Sequence, residues 1–441
     1  LAPDCTVIPL AIEYGFWLER GAEGFIGFGK PMLGRDLLDL ARPARLERLE
    51  SELAATLDRL SADVQSRDPT RFRAVLEGRA GVGGIYDGWR RTIAGILRAT
   101  PLHTPKGDVL VSILIPARNE AKNIGPALDA ALSSVGVPVE ILVMDDGSTD
   151  ATPEIVRAYA ARDERVRLLT APSLEEGWTG KVHACHHLSE AARGTHFLFV
   201  DADVRLGPHA AARLAGHAQE THASLVSAVP RQITRTLGEL LTVPTINLLL
   251  LGYLPMGFMR LSRDPGLGAA CGQLMLVERE AYRAIGGHAA IRTRIHDGIQ
   301  LARLFRRKGF MTDLAPGDHL ASCRMYTRFD EAWNGFAKNA HEGMATPVAL
   351  PIWTILLLGG HVLPFALLPF APTFPIVAAA LLSLATRTLV TVATRENPWS
   401  IPLHPFTMLV GLAIQWSVLL RIGTTRRAGW KGRLYPVGVK P

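Results

Sequence analysis

Cysteine is scarce. The 441 residues hold four, Cys5, Cys185, Cys271 and Cys323, and none forms a CxxC pair. That excludes a disulfide framework and a zinc ribbon, and favours a reducing, cytosol-facing setting. Charge is sparse too: Asp, Glu, Lys and Arg make up 20% of the chain, while 48% is hydrophobic. Such a balance excludes a disordered chain. Acidic residues are missing from 421–441, which hold Arg421, Arg426, Arg427, Lys431, Arg433 and Lys440. The net charge of +7 is modest and much of it sits at this end. That pattern suits a basic cytoplasmic tail beside a membrane, and no nucleic-acid partner is expected. The first residues lack the charged region, apolar run and cleavage site of a signal peptide, so none is expected.

The length suits two to three units of roughly 150 residues each. Residues 5–28 read as short strands separated by Gly15, Gly21 and Gly24. Leu46, Leu49, Leu53, Leu57, Leu60 and Val64 recur at three- and four-residue steps, an amphipathic helix over 44–66. Pro101, Pro105 and Lys106-Gly107-Asp108 read as a linker. From 109 onward strand, turn and helix alternate. Apolar runs at 109–115, 139–144, 166–169, 197–200 and 225–229 predict strands. Segments 123–133, 151–161, 182–192 and 208–219 predict helices. Unalternated apolar strands joined by helices predict an α/β fold with a parallel sheet covered on both faces. Ligands bind beyond the carboxyl ends of such strands.

Four apolar stretches follow. Residues 237–259 carry one charge, Glu239, and are broken by Pro244 and Pro255. Residues 347–371 and 401–420 carry none, and 374–393 only Arg387. About 20 apolar residues span a bilayer, so the last three are membrane candidates. Gly359-Gly360-His361-Val362-Leu363-Pro364 would break a spanning helix, so 347–371 is expected to lie in the interface or re-enter. That leaves 374–393 and 401–420 as a spanning hairpin. A crossing by 237–259 would put Asp201 and Asp203 on the opposite side from Asp297, so it is not expected to span.

Asp201-Ala202-Asp203 follows an apolar run directly. Two carboxylates at a strand end can hold a hard divalent cation, although the tripeptide alone is more often a solvated turn. Asp145-Asp146-Gly147-Ser148-Thr149-Asp150 ends a neighbouring strand. Its carboxylates can accept from a uracil N–H or ribose hydroxyls, or cap the helix starting near Thr152. Pro116-Ala117-Arg118-Asn119-Glu120 ends the first strand. It offers Arg118 to a nucleotide and Asn119 or Glu120 to a base or ribose, against ordinary loop and N-cap roles. His183, His186 and His187 fall within five residues, but no fourth ligand stands at typical zinc spacing, so no metal role is expected.

In this order, Ile115-Pro116-Ala117-Arg118-Asn119-Glu120, Met144-Asp145-Asp146-Gly147-Ser148-Thr149-Asp150 and Val200-Asp201-Ala202-Asp203 resemble the inverting family-2 glycosyltransferases with a GT-A nucleotide-sugar fold. The resemblance covers about residues 108–345. Gly177-Trp178-Thr179-Gly180-Lys181, Gly272-Gln273, Leu403-His404-Pro405 and Trp430-Lys431-Gly432-Arg433 are similar to the branch that glycosylates carotenoids, hopanoids and ceramides. That branch has C-terminal membrane helices.

The resemblance implies a UDP-sugar donor contacted by Pro116, Arg118, Glu120, Asp145, Asp146, Lys181, Asp201 and Gln273. It implies Mg2+ or Mn2+ on Asp203 and Asp201. It places a base at Asp297, in His296-Asp297-Gly298, where burial is expected to raise the carboxyl toward the working pH. His296 stands where the family usually has Glu, and reads as a partly buried, hydrogen-bonding histidine. The segment Tyr326-Thr327-Arg328-Phe329-Asp330-Glu331-Ala332-Trp333 lacks the Gln-x-x-Arg-Trp of polymerising members, which speaks for transfer of a single sugar. Trp333 would pack in the core or stack on an acceptor, and Arg328 or Lys338 would approach phosphates.

The expectation is a membrane-bound enzyme moving one sugar to the hydroxyl or carboxyl of a hydrophobic lipid, such as a carotenoid, hopanoid or glycerolipid. It would sit in the inner cell membrane with its catalytic domain cytoplasmic. A polyprenyl-phosphate acceptor and an inactive membrane scaffold are the alternatives. Val7-Ile8-Pro9-Leu10-Ala11-Ile12, Glu13-Tyr14, Phe16-Trp17, Glu19-Arg20 and Phe28-Gly29 resemble the last strands of a lysophospholipid acyltransferase domain, without its His-x-x-x-x-Asp and Pro-Glu-Gly-Thr motifs. A silent remnant is expected at 1–40, a helical connector at 41–107, the transferase at 108–345, membrane segments at 346–421 and a basic tail at 422–441.

Overall fold

The computed structural model describes residues 2–15, 23–66, 71–72, 104–422, 427–430 and 433–436. The readings on Phe16-Trp17, Glu19-Arg20, Pro101 and Lys431-Gly432 lie outside them. The chain divides into two compact units, Leu1–Arg91 and Thr92–Pro441.

In the first unit β1 (Leu10–Gly15) pairs antiparallel with β2 (Glu23–Phe28), Leu10 opposite Phe28. Helix α1 (Arg42–Ser66) covers one face, where Leu60 and Val64 meet Ala11 and Phe25. Side chains alternate across a strand, so Leu10, Ile12, Tyr14 and Phe28 lie exposed on the other face. Only the last turns of α1 bury the expected stripe; Leu46, Leu53 and Leu57 are exposed. Amphipathic spacing specifies a helix, but the short hairpin covers part of its length.

The second unit holds a seven-stranded sheet between helices. Its strands are β3 (Val111–Ala117), β4 (Val139–Asp145), β5 (Val166–Thr170), β6 (His196–Val200), β8 (Leu225–Ala228), β10 (Leu274–Glu278) and β11 (Thr312–Ala315). Their spatial order is β11-β8-β10-β6-β3-β4-β5. The sheet is mixed rather than parallel throughout, because β10 runs antiparallel to both β6 and β8. Three further short strands, β7 (Val204–Leu206), β9 (Arg231–Gln232) and β12 (Ala321–Cys323), form a second sheet ordered β9-β12-β7.

Alternation decides the layers. Ile113, Ile115, Ile141 and Val143 meet Ile124 and Leu128 of α2 (Ile124–Leu132) and Leu214 of α5 (Ala210–Thr221). Leu114, Leu142 and Phe199 face the other way, onto Val182 and Leu188 of α4 (Gly180–Ala191) and onto Leu301 and Phe305 of α6 (Asp297–Arg307). Each such fully buried side chain contributes about 1.5–3 kcal/mol. Helix α3 (Thr152–Ala160) packs beside α2 and β5.

One carboxylate sits inside this core. Glu140 on β4 accepts from Ser112 Oγ at 2.6 Å, from the Arg193 backbone N–H at 2.6 Å and from Arg193 Nε at 3.1 Å. Burial pushes its carboxyl up, but these bonds outweigh burial and hold it below the ordinary glutamate value. A depressed folded-state pKa contributes stability above the unfolded value and loses it as pH falls through the folded one. Glu140→Gln should therefore cost about 1–3 kcal/mol at neutral pH. In denaturant titrations the gap to the parent chain should shrink below the ordinary glutamate range; a gap independent of pH would refute the assignment.

The apolar stretch at 237–259 is broken into Leu237–Leu240, Thr245–Asn247 and a π-helical turn, Leu248–Tyr253, before the helix Met256–Leu261. Its single charge is bound at both oxygens. Glu239 accepts from the Thr236 backbone N–H at 2.6 Å in a capping box, and from Arg324 Nε at 2.9 Å.

After α7 (Phe329–Ala340) come α8 (Ala349–His361), α9 (Phe374–Thr394) and α10 (His404–Ile422). The Gly-Gly-His-Val-Leu-Pro segment ends α8 at Val362, as expected. Among the described residues α9 alone is long and apolar enough to cross a membrane; the apolar part of α10, His404–Leu420, is shorter. The expected spanning pair thus reduces, by length, to one helix. His404, within Leu403-His404-Pro405, is buried and lies 2.9 Å from His361 Nδ1 through its Nε2.

Candidate active site

The carboxyl edge of the sheet collects the acidic motifs. β4 ends at Asp145-Asp146, and Asp201 directly follows β6. Because β10 is antiparallel, its amino end reaches the same edge: Leu274 pairs with Val200, and the Asp201 N–H donates to Gln273 O at 3.1 Å. That reversal brings Gly272 and Gln273 beside Asp201. Asp297 arrives from the first turn of α6, where the helix dipole favours an anion.

Lys181, in the first turn of α4, ties these parts together. Its Nζ lies 2.7 Å from Asp201 Oδ1 and 3.0 Å from Asp297 Oδ2, and donates to Gly272 O at 3.0 Å. Burial pushes the Asp297 carboxyl up, but the Lys181 ammonium, joined by His288 and His296, outweighs burial and holds it below the ordinary aspartate value. The expected upward shift is therefore reversed, and the reason is a cation that motif spacing does not reveal. Asp201 is pushed up by burial, with Lys181 acting the other way.

Asp203 differs. Its Oδ1 is buried without a hydrogen-bond partner among the described residues. Burial, joined by the charges of Asp201 and Glu120, pushes its carboxyl up to about 7. The orphaned Asp203 oxygen and the Asp201 carboxylate, which Lys181 holds on one side, make an all-oxygen donor set that fits a hard divalent cation.

The residues around Arg118 and the Asp145-Asp146 turn form a cross-braced loop. Asp145 and Asp146 are buried. Asp145 Oδ1 accepts from the Ser148 N–H at 3.2 Å. Arg118 donates to the backbone oxygens of Asp146 and Gly147, so its guanidinium braces the acidic turn. Asn119, in the left-handed region at φ 54°, accepts from the Thr149 N–H at 2.8 Å. Glu120 Oε2 accepts from Asn123 Nδ2 at 2.9 Å. Asp150 caps: it accepts from the Ala121 and Thr152 N–H groups, each at 3.0 Å. Pro116 lies within β3 opposite Met144. The Gln273 side chain points inward, accepting from Gln232 Nε2 at 3.0 Å and donating to Cys323 Sγ at 3.2 Å.

Lys338 is near enough for its charge to act on Asp201 and His296, whereas Arg328 pairs with Asp330 at 2.9 Å on the surface. Trp333 packs its ring against Phe329, with centroids 5.8 Å apart. The Nδ1 of His296 is buried with no partner among the described residues.

Sequence reading missed Glu342. Its Oε1 accepts from the Ile295 N–H at 2.8 Å, and its Oε2 from the His296 N–H at 3.2 Å, so it clamps the backbone just ahead of Asp297. No motif surrounds Glu342; only folding brings it there. The absent side chain of Gly272 matters equally. A Cβ there would stand 2.5 Å from Asp297 Oδ1, so Gly272→Ala must displace that carboxylate. In a crystal structure of the Gly272→Ala chain the Asp297 carboxylate should have left its place beside Lys181, and an unchanged Lys181–Asp297 distance would refute this contact.

Comparison with known proteins adds family evidence. Residues 112–286 match the family model "Glycosyl transferase family 2". A 4,4'-diaponeurosporenoate glycosyltransferase of Staphylococcus aureus is 31% identical over 243 residues, 53% of this chain and 61% of the relative. The chain thus matches about three fifths of that relative's length. Among solved structures, a mannosyltransferase from Pyrobaculum calidifontis in complex with GDP-Man and Mn2+ is similar at 19% identity and a TM-score of 0.47, over 75% of this chain and 93% of that one. Glucosyl-3-phosphoglycerate synthase from Mycobacterium tuberculosis is similar at 19% identity and a TM-score of 0.36, over 60% and 84% of the two chains. The acidic turns at Asp145-Asp146 and Asp201–Asp203 lie inside the span that matches this family model, residues 112–286.

Proposed function

We propose that this chain is a membrane-bound inverting glycosyltransferase that moves one sugar from a UDP-sugar to a hydrophobic lipid of the carotenoid, hopanoid or glycerolipid class. The observation that carries the reading is the convergence of Asp201, Asp297 and Lys181 on one point, with Asp203 beside Asp201.

In this reading Asp146 and Asp145 hold the uridine on the turn that Arg118 braces. Asp203 and Asp201 hold Mg2+ or Mn2+, which supplies Lewis-acid neutralisation of the diphosphate leaving group. Lys181 moves from Asp297 to the diphosphate when the donor enters. That move frees Asp297 and raises its basicity at the moment the acceptor hydroxyl must lose a proton. Attack from the Asp297 side, opposite the diphosphate, inverts the anomeric centre.

One observation favours a lipid acceptor at a membrane. Leu381, Leu382, Leu389 and Val392 leave one side of α9 exposed and apolar, as a lipid-facing helix requires. The proposed location is the inner membrane, with the transferase domain on the cytoplasmic side.

The test is mass spectrometry of lipids from cells with and without the gene, paired with UDP release by the purified chain. A hexosylated lipid present only with the gene, and UDP release requiring both cation and lipid, is expected. UDP release without any lipid acceptor, or an unchanged lipid profile, would overturn the reading.

A further inference from the structure

Helix α4 carries His183, His186, His187 and Glu190 at the i, i+3, i+4 and i+7 positions of one face. Spacing among the histidines alone offered no complete ligand set. The fold supplies the missing oxygen, because Glu190 turns its carboxylate between two of the rings. Glu190 Oε2 lies 2.9 Å from His187 Nδ1, and Oε1 lies 3.5 Å from His186 Nε2. The ligand atoms of His186, His187 and Glu190 all lie within 4.8 Å of one another.

We propose that His186, His187 and Glu190 form a binding site for a zinc-class divalent cation, separate from the oxygen-only site at Asp201 and Asp203. Ligand atoms on a tetrahedral zinc stand about 3.4 Å apart, given bonds of about 2.0–2.1 Å. The observed separations need only small side-chain rotations to reach this. Two imidazoles and one carboxylate leave a fourth position for water, and imidazole nitrogen selects zinc, cobalt or nickel over magnesium.

The surroundings orient the ligands. Trp178 stacks on His186 with centroids 5.1 Å apart and planes at 27°. His187 Nε2 lies 3.2 Å from His183 Nε2. A cation on His187 Nδ1 makes Nε2 the protonated nitrogen, which then donates to His183 Nε2 as its outer partner. His183 is fully buried and, accepting at Nε2, carries its own proton on Nδ1, which has no partner among the described residues. The same helix carries Lys181 in its first turn, so a cation farther along it anchors the element that positions that lysine.

The proposal does not depend on the transferase reading and is tested without it. The purified full chain carrying Asp203→Asn, which removes the main ligand at the other site, is stripped of metal. It is then titrated with Zn2+ by calorimetry and with Co2+ by visible absorption. One equivalent of Zn2+ should bind, and Co2+ should give a tetrahedral spectrum without a thiolate band, although Cys185 lies on the same helix. Adding Glu190→Gln, a change at an exposed side chain that spares the fold, should weaken Zn2+ on the order of tenfold or more. Adding His186→Ala with His187→Ala should abolish binding, with circular dichroism checking the fold. No Zn2+ binding, or an affinity indifferent to Glu190→Gln, would overturn it.

Discussion

Asp297→Asn is expected to lower sugar transfer to a hydroxyl acceptor by about 10²–10⁴-fold, the usual worth of a positioned base. Asparagine keeps the size of the side chain and the start of α6, but cannot take a proton. Lys181 then retains Asp201 as its only carboxylate partner of the two it now holds. UDP binding should therefore survive while turnover falls, so the loss appears in kcat rather than in donor affinity. Unchanged transfer to a hydroxyl acceptor would remove Asp297 from the mechanism. Undiminished transfer confined to carboxylate or phosphate acceptors would instead show that the nucleophile arrives already ionised, as in the polyprenyl-phosphate alternative.

Glu396→Ala should be the most damaging single change to stability. Arg387 is fully enclosed in α9, where its guanidinium donates to Pro244 O at 2.8 Å and Thr391 Oγ1 at 3.0 Å and pairs with Glu396. Glu396 is itself buried and also accepts from Asn247 Nδ2 at 2.7 Å. Removing one member of a buried pair strands the other charge, at about 3–5 kcal/mol. Replacing both, Arg387→Leu with Glu396→Leu, leaves no buried charge and should recover most of that loss. Thermal denaturation of the purified chain in detergent measures both. A Glu396→Ala change below about 1 kcal/mol, the scale of an exposed pair, would show that water reaches this site.

The same pair shows where sequence reading stops. Arg387 was visible as the one charge in an apolar run, and 374–393 matches α9 closely. Its partner was not visible, because Glu396 lies beyond the helix end and Asn247 some 150 positions upstream in the chain. Glu239 behaves likewise: the capping box with Thr236 is local, whereas Arg324 reaches it across 85 positions.

The five strands read from apolar runs, at 109–115, 139–144, 166–169, 197–200 and 225–229, all appear in the sheet. β10 and β11 were not recognised as strands. Only pairing with β6 and β8 shows that Leu274–Glu278 runs against its neighbours, and this reversal carries Gly272 and Gln273 to the acidic edge. Periodicity reports what a segment buries, not which way it runs.

The sequence by itself determined the alternation of strand and helix, the acidic turns at strand ends, the capping role open to Asp150 and the apolar character of the last helices. These are local matters of side-chain period, turn chemistry and composition, settled within a few residues. Only the tertiary structure decided that Lys181 joins Asp201 to Asp297, that Glu342 clamps the backbone ahead of Asp297, that Arg118 braces a turn and that Glu190 completes a histidine face. Those outcomes depend on groups brought within about 3 Å, the range of a hydrogen bond or ion pair, from distant parts of the chain or by the turn of one helix. At that range, inside a buried site, the Lys181 ammonium together with His288 and His296 offsets burial and holds the Asp297 carboxyl below the ordinary aspartate value.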